Sequence, residues 1–360
     1  MAYIYKGHYD IQERLKDMAD STGQPASFLF CMSADRGPGK TFSVCRMLIE
    51  NFEATGEKFI LFRRYSRELG STAQGIFKGY FTACHPDWSM RETIKKKGGY
   101  SIISLIKGED EKPIDCGYVL PLNMMTDIRN GSSEFVDATW GFFDEFQPKL
   151  KREYLPNEFD IFYDVYKSIA RGGKKGEEGH AVRPFRVIFV SNTIDIDDPY
   201  LYAFGLSSKI QDDTMLYRGN RVIYERVEVE GLKEMHSNSD IDVACSEYLK
   251  KRGNNLWLNT DASLVARPDG WGHGTYIATL EYCDNKFGLL YYSQKGVWYV
   301  TRKVEKNCKY IYNIAFKEGA TLNPVLRTVT LFRQLHDALY AGRVRVHDSS
   351  LQAILLDVFH

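Results

Sequence analysis

The chain has 360 residues, 44% hydrophobic and 14% aromatic, and its 47 basic and 47 acidic side chains cancel to zero net charge. This excludes a disordered chain, leaves length for two domains, and excludes a global basic field, so any nucleic-acid contact must come from local patches. Seven cysteines (31, 45, 84, 116, 245, 283, 308) without a C-x-x-C pair fit reduced thiols in a cytoplasmic compartment better than a zinc site.

In chain order, "MAYIYKGHYDIQERL" has no signal-peptide character, and no later apolar run approaches a membrane span. "ASFLFCMS" (26–33) reads as a buried strand, and "TFSVCRMLIENF" (41–52) as a helix with Val44, Met47 and Leu48 on one face. "EKFILFRRYSREL" (57–69) is a strand ending in a basic cluster. A mixed region follows to about residue 120, in which "IKKKGGYSIISLI" (94–106) reads as a hairpin with a basic turn. "ATWGFFDEF" (138–146) and "FRVIFVSNT" (185–193) are two further buried strands. Between them, "NEFDIFYDVYKSIARGG" (157–173) carries a helix stopped by paired glycines. Strands alternating with helices imply an α/β domain with a largely parallel sheet, which "RVIYERVEVE" (221–230) closes as an edge strand. From "GLKEMHSNSD" onward the chain is polar and reads as a connector. Beyond it lie the aromatic strands "TYIATLEYCD", "FGLLYYSQKGVWYVTRKV" and "YIYNIAF", then two helical stretches in 328–342 and 349–359. The boundaries are an α/β domain over 1–230, a linker over 231–258 and a smaller α+β domain over 259–360.

The chemistry concentrates in the first domain. "SADRGPGKTFS" (33–43) keeps Gly39, Lys40 and Thr41 of the phosphate-loop signature G-x-x-x-x-G-K-[ST], with Ala34 in place of its first glycine. Arg36, Gly37, Pro38, Gly39, Lys40, Thr41 and Phe42 are the candidate ATP-binding residues, at a helix N-terminus whose field favours anions. The apolar strand ending in Asp144-Glu145 has the form of a Walker B segment. There, Thr41 and Asp144 would hold Mg²⁺, and Glu145 would act as general base on the attacking water. Asn192, at the end of "RVIFVSN", suits a sensor of the γ-phosphate. Arg171, in "SIARGGKK", is either a helix C-cap charge or an arginine finger for a neighbouring subunit. In the second domain Glu281, Asp261, Asp269 and Asp284 show no spacing that marks a two-metal nuclease set.

"FLFCMSADRGPGKT", "FILFRRYSREL", "FFDEFQPKLKREYLPNE" and "RVIFVSNTIDIDDPYLY" together resemble the genome-packaging ATPases of the phi29-like small tailed phages. "LFRQLHDALYAGRVRVHDSSLQAILLDVF" resembles the end of the same proteins, so the likeness runs through most of the chain. The resemblance implies an additional-strand (ASCE) P-loop ATPase domain and a second domain like a degenerate RNase H-type nuclease without cutting activity. It also implies a ring, typically a pentamer, on the portal of the prohead, where ATP hydrolysis drives double-stranded DNA inward. Such a subunit would work in the host cytoplasm, transiently attached to the portal vertex and absent from the mature virion. Carried over by motif, Lys40 and Thr41 take phosphate and metal, Asp144 and Glu145 are metal residue and base, Arg36 lies within the loop, and Arg171 is the trans-acting finger. The loop "ARGGKKGEEGH" is longer here and leaves Arg183 or Arg186 as substitutes for Arg171.

A translocase grips backbone phosphates without reading sequence, which makes Arg63, Arg64, Ser66 and Arg67, and separately Lys95, Lys96 and Lys97, the candidate DNA contacts. Arg343, Arg345 and His347 alternate on a short strand-like segment that would touch nucleic acid, the portal or nothing. Two other classes stay open. One is a phosphate-loop kinase or NTPase with a small substrate; the other is a nucleotide-gated scaffold that binds DNA or a portal without hydrolysis. Glu145 beside Asp144 speaks against the second of these.

Overall fold

The computed structural model describes residues 4–34, 37–95, 97–108, 111–130, 132–149, 151–170, 185–196, 198–211, 214–230, 264–282, 285–314, 326 and 330–359. The chain divides into two compact units, one of residues 1–194 and 215–253, the other of 195–214 and 254–360. The connector expected at 231–258 lies outside the described residues.

The first unit begins with β1 (Ile4–Lys6), α1 (Ile11–Leu15), β2 (Phe28–Ser33), α2 (Lys40–Thr55), β3 (Lys58–Arg63) and α3 (Thr72–Cys84). It continues with β4 (Ser89–Lys95), β5 (Tyr100–Ile106), β6 (Ile114–Pro121), α4 (Met125–Asn130), β7 (Ala138–Asp144), α5 (Glu158–Ala170) and β8 (Arg186–Asn192). The chain then makes an excursion carrying α6 (Pro199–Ala203) and returns as β9 (Leu216–Arg218), β10 (Val222–Arg226) and β11 (Glu228–Glu230).

Nine strands form one sheet in the order β4-β5-β6-β3-β7-β8-β2-β10-β9. The run from β6 to β10 is parallel, and β4, β5 and β9 add antiparallel edges. This is the α/β class with a mostly parallel sheet that the sequence implies. β8 lies between β2 and β7, the extra strand that gives the additional-strand ATPases their name. Parallel strands buried on both faces read as near-continuous apolar runs, and β2 is apolar from Phe28 to Met32: Leu29 and Cys31 join the core beneath α2 and α3. Phe30, on the opposite face, stacks on Phe189 with centroids 4.5 Å apart.

Two strand assignments differ from the sequence reading. "RVIYERVEVE" is not the sheet's closing edge, because β10 lies between β2 and β9 while β11 pairs with β1 outside this sheet. The alternating pattern marked a strand but could not tell that the short "LYR" of β9 would cover it. β6, which the pattern did not single out, is central, pairing with β3 on one side and β5 on the other.

The second unit contains α6 and the strands β12 (Thr275–Tyr282), β13 (Asn285–Tyr292), β14 (Val297–Thr301), β15 (Ile311–Asn313) and β16 (Val344–Val346). Its two longer helices are α7 (Thr330–Tyr340) and α8 (Ser349–Phe359). The sheet order is β15-β12-β13-β14-β16, an antiparallel meander with a parallel strand at each edge. Leu280, Leu289, Val300, Leu335, Val344 and Leu355 form its core. Arg302 fastens two remote segments to this sheet, with Nε and Nη2 donating to Asp348 at 2.8 and 3.1 Å and Nη1 to the Ser208 carbonyl at 2.8 Å. Among the described residues no helix is long and apolar enough to cross a membrane.

Candidate active site

The ends of β2, β3, β7 and β8 meet where an open parallel sheet places its ligands, at the carboxyl ends of its strands. From β2 the chain turns through Gly37 (φ 84°) into Gly39 (φ 86°), which begins α2. Both sit in the left-handed region where an L side chain is strained, which explains glycine at these two positions. Neither needs the missing first glycine, so Ala34 is compatible with the turn. The N-terminal arm braces this loop from outside: the Tyr9 amide donates to the Pro38 carbonyl at 2.8 Å, and the Ile11 amide to Ser43 Oγ at 2.8 Å. The arm is anchored in turn by a buried cluster in which Tyr5, Tyr9 and Arg14 all donate to Glu225.

Lys40 is buried, and its Nζ donates to Ser33 Oγ and, at 3.3 Å, to Asn192 Oδ1. Thr41 Oγ1 donates to the Asp144 carboxylate, 3.1 and 3.2 Å from its two oxygens. The proposed phosphate lysine, metal hydroxyl, metal carboxylate and sensor amide are therefore neighbours, although they come from 40–41, 144 and 192. Burial pushes the Asp144 carboxyl above its usual range, and Glu145 adds to this, while Arg63, Thr41 and Lys40 pull the other way. A hydroxyl and a partly buried carboxylate in contact are hard oxygen donors of the kind Mg²⁺ selects, so this pair fits that ion.

Glu145 leaves β7 with φ 54°, one of three non-glycine residues with positive φ among the described residues. It is exposed, and its amide donates to Asp144 Oδ1 at 3.2 Å. The turn that follows is stitched to β8: the Phe146 amide donates to the Val190 carbonyl at 3.3 Å, and the Ile194 amide to Gln147 Oε1 at 2.9 Å.

Not every candidate from the sequence joins this group. Phe42 turns its ring to Tyr80, with centroids 5.7 Å apart, so only its backbone faces the loop. Arg36, Arg171 and Arg183 lie outside the described residues. Arg186 opens β8 at the end opposite Asn192 and covers the Trp140 ring at 5.3 Å.

The basic clusters also separate. Arg63 Nη1 donates to the Asp144 carbonyl at 3.1 Å, and its Nε lies 3.9 Å from Glu68. Arg64 is buried, and its guanidinium bonds are all made inward, which corrects its grouping with the DNA contacts: a residue 8% exposed has no face for a phosphate backbone. Arg67 is exposed over the Tyr65 ring at 4.5 Å. The Ser66 amide donates to Asn123 Oδ1 at 2.8 Å. Lys95 and Lys97 are exposed at the β4–β5 turn, and Lys96 lies outside the described residues. The sequence reading missed the N-terminal arm, Ser33, Gln147 and the inward role of Arg64. For the arm alone the partners lie as far as 220 positions away, beyond any local pattern.

Known proteins resemble this chain along most of its length. The DNA packaging protein of Bacillus phage B103 is 22% identical over 330 residues, which cover 90% of this chain and 94% of that protein. The DNA packaging protein of Bacillus phage PZA is 21% identical over 343 residues, covering 90% and 91%. A chain of the bacteriophage Phi-29 viral genome packaging motor assembly shares the fold, with a TM-score of 0.56 at 19% identity over 98% of both chains. Residues 26–360 match the family of podovirus DNA encapsidation proteins (Gp16), and the chain belongs to that family.

Proposed function

We propose that this protein is the ATP-hydrolysing subunit of a ring, a pentamer, that sits on the portal of the prohead and drives double-stranded DNA into it. The observation that carries the reading is the convergence of Lys40, Thr41, Asp144 and Asn192 beside the exposed Glu145. The phosphates would replace the present partners of Lys40, whose amine then neutralises them. Thr41 and Asp144 would hold Mg²⁺, which when bound offsets charge on the transferring phosphoryl group. Glu145 would take a proton from the attacking water, and Asn192 would donate its amide to the γ-phosphate or that water. An arginine supplied by a neighbouring subunit, Arg171, completes the charge balance, a contribution of about 10³–10⁵ in rate where such a finger operates.

Arg67, Ser66, Lys95 and Lys97 are the remaining candidates for phosphate-backbone contact, with Arg63 tied to the site. The second unit is proposed as the degenerate RNase H-type domain, contacting the portal or a scaffold RNA and not cutting DNA. In this unit Glu281 lies opposite Asn313 in register and 3.6 Å from Lys286. A kinase acting on a small acceptor would work as an isolated subunit, which the following experiment separates from a ring. Steady-state ATPase is measured against protein concentration, with duplex DNA, while Arg171→Ala subunits are mixed into wild type. The ring reading expects turnover per subunit to rise with concentration and to fall out of proportion to the fraction of variant. Turnover that is flat with concentration and simply diluted by the variant would overturn it.

A further inference from the structure

We infer that Arg64, held by Glu158, is a positioning residue for Glu145; the inference rests on the ATPase reading of the site. Arg64 follows the last residue of β3, yet its side chain turns away from the surface. Its Nη1 donates to the Glu145 carbonyl at 3.0 Å, and its Nη2 donates to the Phe146 carbonyl. Its Nε donates to Glu158 Oε2 at 3.0 Å, and the same oxygen accepts the Leu155 amide at 2.9 Å. The guanidinium lies between the Phe143 and Tyr154 rings, 5.2 and 5.1 Å from their centroids. Both members of the pair are buried.

These contacts fall on the two peptide units that follow Glu145, whose own backbone lies in the left-handed region. Glu145 holds φ 54°, a conformation that a non-glycine residue keeps only when its surroundings over-determine it. The fork of Arg64 reaches three acceptors in different directions at once, and the carboxylate at the first turn of α5 fixes the fork. A lysine offers one ammonium centre and cannot span them. The direction in which the Glu145 side chain leaves the backbone is thus set by a residue whose guanidinium bonds run to the turn and to Glu158. A misplacement of about 1 Å in a reacting group can cost on the order of 100-fold in rate.

Two variants test this in the full-length protein, Arg64→Lys and Glu158→Gln. Each is compared with wild type for thermal unfolding, affinity for a fluorescent ATP analogue, kcat and KM, and amide exchange over residues 144–149. For Arg64→Lys we expect nucleotide affinity and KM within about twofold of wild type and kcat lower by about 10- to 100-fold. Amide exchange should quicken at 144–149 while that of β2 stays unchanged. Glu158→Gln, which keeps the shape but weakens the charge-assisted bond, should give the same pattern with a loss of about threefold. If Arg64→Lys does not fold, Glu158→Gln decides alone. A folded variant with wild-type kcat, or exchange that quickens equally across β2 and 144–149, would overturn the inference. If wild type itself does not hydrolyse ATP, the ATPase reading fails separately, and the exchange pattern alone decides whether Arg64 holds this turn.

Discussion

At the strand ends of the first unit, Lys40, Thr41, Asp144 and Asn192 meet from three separate stretches of chain, through hydrogen bonds of an amine and a hydroxyl that an incoming phosphate or cation can replace. In the second unit, Arg302 grips both oxygens of Asp348 and the carbonyl of Ser208, and Asn285 Nδ2 donates to Ser208 Oγ at 2.9 Å. Both regions bury charge. One set of groups satisfies itself loosely at the open end of a parallel sheet, while the other is a two-pronged pair that staples the segments around Ser208 and Asp348 onto a meander. Buried polar residues therefore mark a site only when they converge from strand ends and can exchange partners. When they are fully paired, they mark a scaffold.

The comparison can be broken from the scaffold side first. Arg302→Ala leaves Asp348 buried without its two-pronged partner and should cost about 3 kcal/mol, a loss typical of removing one member of a buried pair. A urea titration followed by tryptophan fluorescence should show an earlier transition, with affinity for an ATP analogue unchanged within about twofold. Affinity falling in step with stability would mean that the second unit supports the nucleotide site and that the contrast drawn above is mistaken. The smaller expected effect is none at all. Full-length protein incubated with Mn²⁺ and supercoiled plasmid should leave the plasmid intact, because Glu281 faces Asn313 and Lys286. Nicked or linear DNA in proportion to protein would show that the carboxylates of this unit do assemble.

Much of the first unit was legible because its signals are local. A buried strand, a glycine turn at positive φ and an amphipathic helix occupy one contiguous stretch, and Asp144-Glu145 and Asn192 each end an apolar strand. The hairpin of β4 and β5 and the aromatic strands β12 to β14 were readable for the same reason, as alternating runs broken by turn residues. What escaped the reading depends on pairing at a distance. β6 reads as a short apolar run and takes its central place only by pairing with β3. Arg64 belongs to the same basic run as Arg63 and Arg67, and nothing in that run says that two carbonyls 81 and 82 positions later, and Glu158, will draw one guanidinium inward. The Glu225 cluster shows the same limit, since Arg14 meets its partner across 211 positions.

The central claim is that Glu145 performs chemistry at a site whose binding groups stand without it. The most direct measurement is single-turnover ATP hydrolysis by Glu145→Gln beside its affinity for an ATP analogue, in the presence of Mg²⁺. The account predicts affinity within about threefold of wild type and a chemical step slower by about 10²–10⁴, the range for losing a general base. Hydrolysis at the wild-type rate by a variant that binds normally would contradict it and move the base to another residue.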